Sequence, residues 1–174
     1  MSLQLDGTNG VLGNSGAFIA GTAVASTSGT SIDFTSIPSW VKRITVAFSG
    51  ISTSGSSIIQ LQVGAGSVTT TGYNGSTAYQ SATTSSQGGI TTGLGVVASV
   101  GATYGFGGVA TLILLGSNTW CMFSNLASTS ASPANVLYSA TSTIALGGTL
   151  DRVRITTVNG TDTFDAGSIN ILYE

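Results

Sequence analysis

Between Arg43 and Asp151 the chain carries no Asp, Glu, Lys or Arg, so its charge is held in the two flanks. The stretch between is written in Gly, Ser, Thr, β-branched and aromatic residues, with little Ala, Glu, Lys or Leu periodicity and only two prolines in the whole chain. Such a composition disfavours helix and favours many short strands joined by small-residue turns, so the expected fold class is all-β.

The clearest strand is the run 40–48, WVKRITVAF. Read with period two, Trp40, Lys42, Ile44, Val46 and Phe48 share one face, mainly core, and Val41, Arg43, Thr45 and Ala47 share the other. Pro38 disfavours a helix entering it, and Ser49-Gly50 supplies turn chemistry at its end. The run 150–157, LDRVRITT, repeats the theme, with Arg152 and Arg154 on one face and Val153 and Ile155 on the other. These two runs hold all four basic residues.

At 174 residues one domain is the default, burying roughly 70% of its unfolded surface. A hydrophobic fraction of 41% argues against disorder. The net charge of −2 offers no polybasic surface to neutralise phosphates, which argues against a nucleic-acid partner. So weakly charged a surface must rely for solubility on hydroxyl and amide side chains and on self-association that covers apolar area. The single cysteine, Cys121 in WCMF, allows no intrachain disulfide and reads as a small buried hydrophobe. No basic segment precedes an apolar one at the start, so no Sec-type signal is read. The uncharged run 93–116 is long enough to span a bilayer as a helix, but Gly101, Gly105, Gly107 and Gly108 interrupt it, and two buried strands are expected instead of membrane insertion.

Residues 1–16 read as a leader, with a short strand at 3–5 and turn signals at Asn9-Gly10 and Asn14-Ser15-Gly16; docking to other subunits is the role expected of it. Residues 17–174 form the domain. Strands are expected at 18–26, 31–34, 40–48, 57–63, 67–71, 89–97, 106–115, 119–125, 136–143, 150–157 and 168–173, about ten or eleven in all, at the spacing of an antiparallel β-sandwich. The polar connection 72–87, GYNGSTAYQSATTSSQ, is expected to be a long exposed loop, a frequent place for function. A second connection, 127–135, contains Pro133 and reads as plain linker.

Histidine is absent, which excludes Ser-His-Asp and Cys-His catalysis and the commonest zinc ligand sets. A glycosidase needs two facing carboxylates. Asp162 and Asp165, in NGTDTFDAG, lie close together, but the segment reads as a turn, where they cap or form ion pairs; with Asn159 they are also a conceivable calcium loop that lacks the EF-hand pattern. Gly64-Ala65-Gly66 and Gly93-Leu94-Gly95 complete no nucleotide-binding motif, so no cofactor is expected. The best hint of binding is aromatic. Tyr73, Tyr79 and Tyr104 lie in or beside Gly-, Ser- and Thr-rich loops, and with Asn74 and Gln80 they offer sugars both apolar faces and hydrogen-bonding groups; the alternative is that each tyrosine staples its own loop. Lys42, Arg43, Arg152 and Arg154 are expected to meet acids such as Asp33, Asp151, Asp162, Asp165 or Glu174, within or between chains, because isolated charges on a buried face are costly.

The runs 31–55, SIDFTSIPSWVKRITVAFSGISTSG, and 150–174, LDRVRITTVNGTDTFDAGSINILYE, resemble a module found at the C-terminal ends of tail fibres, tailspikes and related virion proteins of tailed phages. The resemblance covers residues 17–174, its closing segment is the most specific part, and LDGTNG in the leader is similar to sequence of phage tail proteins. It implies a β-sandwich or jelly-roll that forms homotrimers on the outside of a virion, attached through its leader to other virion subunits, with exposed loops that meet a host glycan or protein. With only a leader ahead of the domain, no enzyme body is expected. The alternatives are a capsid or tail decoration protein that binds no receptor and, third, a polysaccharide-acting spike enzyme.

Overall fold

The computed structural model describes residues 4–6, 10–12, 18–98, 101–130 and 135–174. The strand from Arg43 to Thr53 (β6) shows why these segments form sheets. Ile44, Val46, Phe48 and Ile51 are buried, while Arg43, Ala47 and Ser49 face out. Such alternation gives a sheet one core face and one outer face.

The other strands are β1 (Gln4–Asp6), β2 (Gly10–Leu12), β3 (Ile19–Ala20), β4 (Val24–Ala25), β5 (Ser31–Thr35), β7 (Ile59–Ala65), β8 (Ser67–Val68), β9 (Asn74–Gln80), β10 (Ser85–Ile90), β11 (Leu94–Gly95), β12 (Phe106–Gly116), β13 (Thr119–Ser128), β14 (Leu137–Ala145), β15 (Arg152–Thr157) and β16 (Phe164–Tyr173). A nine-stranded sheet runs β10-β9-β14-β13-β12-β6-β16-β3, with β4 also on β16; a five-stranded sheet runs β11-β7-β15-β5, with β8 on β7. β1 and β2 pair with each other as a separate hairpin. Every pairing is antiparallel.

The two large sheets share one core. Ile44 and Val46 of β6, Leu112 of β12 and Met122 of β13 are buried in the same cluster as Ile59, Leu61 and Val63 of β7 and Val153 and Ile155 of β15. The fold is therefore all-β and sandwich-like, as the composition implies. Among the described residues no helix is long and apolar enough to cross a membrane.

Several boundaries differ from the sequence expectation. The period-two reading of 40–48 places Val41 outward, yet Val41 is buried and Trp40 only half-buried. The amides of Lys42 and Arg43 both donate to the carbonyl of Glu174, at 2.7 and 2.9 Å, and the Val41 amide donates to Pro38 at 3.1 Å. Two consecutive donors on one acceptor mark a bulge, which flips the parity of everything before it. Ser49-Gly50 does not end the strand: β6 continues to Thr53, with the ladder shifted in register beside it on both β12 and β16. The expected loop 72–87 is mostly the hairpin β9–β10, regularly paired from Gly75↔Ile90 to Gln80↔Ser85. The expected strand 89–97 divides into the end of β10 and the short β11, and 18–26 divides into β3 and β4. Most of the leader, and Pro133 in the second connection, lie outside the described residues.

Candidate functional site

A groove of about 880 Å³ crosses the nine-stranded sheet near one end, lined by residues of five adjacent strands, β12, β13, β14, β9 and β10. Strand register builds it. Gly107, Ala127, Leu137, Gln80 and Ser85 pair across the strands as one row, and Val109, Asn125, Ser139, Ala78 and Gln87 as another. The row between them, Gly108, Leu126, Tyr138, Tyr79 and Ser86, carries the groove's aromatic support: Tyr138 is buried against Phe106 with centroids 5.3 Å apart and planes at 88°, and Tyr79 packs on Tyr138 at 6.3 Å. At Gly108 a Cβ would lie 2.3 Å from the Asn125 carbonyl oxygen, and φ is +150°. Only glycine lets β12 approach β13 so closely here.

The groove lining contains no Asp, Glu, Lys or Arg. Its exposed groups are the amides of Gln80, Gln87 and Asn125, the hydroxyls of Ser85 and Ser139, and the apolar Leu137, which is 62% exposed. Neutral amides and hydroxyls around an apolar patch can hydrogen-bond and stack on a neutral, hydroxyl-rich ligand without the desolvation cost of a charge.

Of the five residues singled out in the sequence for surface contact, two line this groove, Tyr79 and Gln80, and Asn74 is exposed at the other end of β9. Tyr73 is a correction: it is 3% exposed and holds its loop from within. Its hydroxyl accepts the Val63 amide at 2.8 Å and donates to the Thr69 carbonyl at 3.0 Å, tying β7 to the segment leading into β9. Tyr104 is half-buried, edge-on to Phe106 at 6.5 Å and bonded through its amide to Gly101, so it too braces its own turn. Register alone reveals Asn125, Leu137 and Ser139, which are far from β9 and β10 in the chain, whereas Ser85–Gln87 fall in the polar connection 72–87 that the sequence marks. The Gly107-Gly108 pair inside a strand is the one local signal that could have pointed there.

Burial pushes the Tyr73 phenol from its ordinary 10.0 up to about 12, partly offset by its bond with Val63. A folded value above the unfolded one means stability that is whole below pH 10 and is lost as pH rises toward 12. Tyr73→Phe is expected to cost about 1–3 kcal/mol near pH 7, because the buried Val63 amide loses its acceptor. In urea unfolding the variant should also lack the loss between pH 10 and 12 that the parent shows; equal stability of both proteins at pH 7 would show that the hydroxyl does not hold the loop.

The acids are engaged structurally. Asp33 takes a two-pronged pair from Arg154 at 2.7 and 2.9 Å, which holds the Arg154 guanidinium above its usual range. Asp151 pairs with Arg152 at 2.8 Å and accepts the Gly66 amide at 3.1 Å; the arginine bond is the main cause that lowers its carboxyl. Glu174 pairs with Arg43. The expectation of ion pairs thus holds for three of the four basic residues, and Lys42 has no acid partner among the described residues. Asp162 and Asp165 do not serve as partners either. Asp162 accepts the Asn159 side-chain amide at 2.7 Å and the Ser57 backbone amide at 2.9 Å, bonds that lower its carboxyl, while Asp165 bonds to Ser52. The Asn159 oxygen takes the amides of Thr161 and Asp162 at 3.0 and 3.2 Å, so 159–162 is a closed turn of the capping kind. Among the described residues no group of three or more His, Cys, Asp or Glu is placed to hold a metal.

The outer face of the nine-stranded sheet is a second feature. Val109, Ile113 and Phe123 are each 43% exposed there, with Arg43 of β6 across from Ile113 at one end. Cys121 lies on this face, opposite Ile113, because Trp120 and Met122 on either side of it point inward. It is half-buried rather than buried as the sequence suggested. Compared with known proteins, the chain matches no family model, no curated protein and no solved structure.

Proposed function

We propose that the chain is a structural protein on the outside of a tailed-phage virion, a small tail-fibre or fibre-tip component that binds a host-surface glycan or protein. The observation that carries the ligand reading is the uncharged groove of amides, hydroxyls and one exposed leucine, set on rigid strands rather than on loops. Neutral polysaccharide is the ligand such a lining suits best, since it offers hydroxyls and apolar sugar faces together. The phage assignment rests on the likeness of residues 31–55 and 150–174 to the fibre module. In this reading the sandwich is a jelly-roll, three copies assemble as a homotrimer, the leader joins them to other virion subunits, and the sheet's apolar outer face supports burial in an assembly.

The same apolar face favours one rival, a decoration protein that stabilises the shell through broad contacts. Two measurements separate them. Purified protein should bind an array of bacterial surface polysaccharides, with affinity falling about tenfold to a hundredfold in the double variant Gln80→Ala, Asn125→Ala, as the loss of two hydrogen bonds implies. Antibody labelling of intact particles should mark the distal end of a tail appendage. Label spread over the head, with no binding to the array, would replace the receptor reading by decoration.

A further inference from the structure

Among the described residues β10 has a free edge, and it differs from the other exposed edges of the two large sheets. β3, β4, β8 and β11 are two residues long, and β5 carries Asp33 locked to Arg154. Short or charged edges resist the addition of another strand. β10 is six residues, SSQGGI, with no charge, no proline and no register shift against β9. Its first five residues, Ser85 to Gly89, are exposed on both faces.

The hydrogen-bond phase shows what that edge offers. The Ser81 amide donates to the Thr84 carbonyl at 2.8 Å, which fixes 81/84 as a bonded pair. Antiparallel alternation then makes 79/86, 77/88 and 75/90 the bonded pairs. The backbone N–H and C=O groups of Ser85, Gln87 and Gly89 therefore point away from β9.

We propose that this edge is a docking strand for a second copy of the same chain, with two β10 strands pairing antiparallel about a two-fold axis through Gln87. Four features favour self-pairing. The axis pairs Ser85 with Gly89 of the second copy, and Gln87 with itself, so one set of outward groups satisfies its own counterpart. The Gln87 amide is both donor and acceptor and can meet its own copy. No residue from 44 to 150 is charged, so like surfaces approach without repulsion. The serines and glycines leave room on both faces of the new ladder. This contact does not depend on the groove's ligand, and three-fold assemblies with free β10 edges would be joined by it into even-numbered ones.

Light scattering of the full chain after size exclusion tests the contact, alongside Gln87→Lys and Gln87→Pro. The Gln87 amide lies outside the β9 ladder, so proline there leaves the hairpin's own bonds intact. The wild type should be a dimer or an even multiple. Each variant should fall to half that mass with an unchanged circular dichroism spectrum, self-association weakening at least roughly tenfold for the lysine, whose charge meets its copy on the axis. Mixing Gln87→Lys with Gln87→Glu should restore the wild-type mass. A monomeric or purely trimeric wild type, an unchanged mass in both variants, or a mixture that fails to reassociate would each overturn the proposal.

Discussion

Phe106→Ala is expected to lower the unfolding free energy by about 3–5 kcal/mol, the range for truncating a fully buried aromatic. Phe106 is 0% exposed and opens β12, with Tyr138 edge-on to it at 5.3 Å and Tyr104 at 6.5 Å. Its removal leaves a cavity under the groove and takes a packing partner from two tyrosines at once. Urea unfolding measures the loss as a lower midpoint at constant slope. Phe106→Leu, which keeps much of the volume, should cost clearly less. If the two variants lose the same amount, the ring's aromatic contacts matter and the cavity does not.

Gly167→Ala should be comparably damaging, by about 3–5 kcal/mol, for a backbone reason. Gly167 has φ +91°, and a Cβ there would stand 2.5 to 2.6 Å from the carbonyl carbon and oxygen of Gly50 and the amide nitrogen of Ile51. Overpacking of about 1–3 kcal/mol adds to backbone strain of similar size, and the obstructing atoms are main chain that cannot swing aside. Gly50 across the ladder is the internal control. It also has positive φ, +62°, but nothing lies within 4 Å of its Cβ position. Gly50→Ala should therefore cost only about 1–2 kcal/mol, the left-handed penalty alone. Thermal unfolding of the two variants side by side tests the distinction; equal losses would mean that the close approach of β16 to β6 relaxes freely.

The KRIT and RVRIT runs illustrate what was legible. In β15 Val153 and Ile155 are buried between half-buried Arg152 and Arg154, as period two requires, and the alternation ends only at Thr156 and Thr157, both buried. In β6 the same logic holds from Arg43 to Phe48 and fails at Val41, because the bulge there is made by the carbonyl of Glu174, a residue far away in sequence. The polar run 72–87 misled for a related reason. Its Ser, Thr and Gly residues carry no hydrophobic alternation, yet β9 is a strand because β14 and β10 supply ladder partners on both sides. Tyr73 and Tyr79, six residues apart, have the same local chemistry. One lies inside the core cluster with its hydroxyl held by main chain, and the other is half-buried, packed on Tyr138 beneath the groove.

The sequence by itself determined the fold class, the core faces of the longer strands and the segregation of charge to the flanks. Each of these follows from residue type and from a period of two within one strand. Only the tertiary structure decided which acid meets which arginine, which tyrosine is buried, which five strands build the groove and which edge stays open. Those depend on the register between strands distant in the chain, where a shift of one residue exchanges the inner and outer faces and no local pattern records the choice.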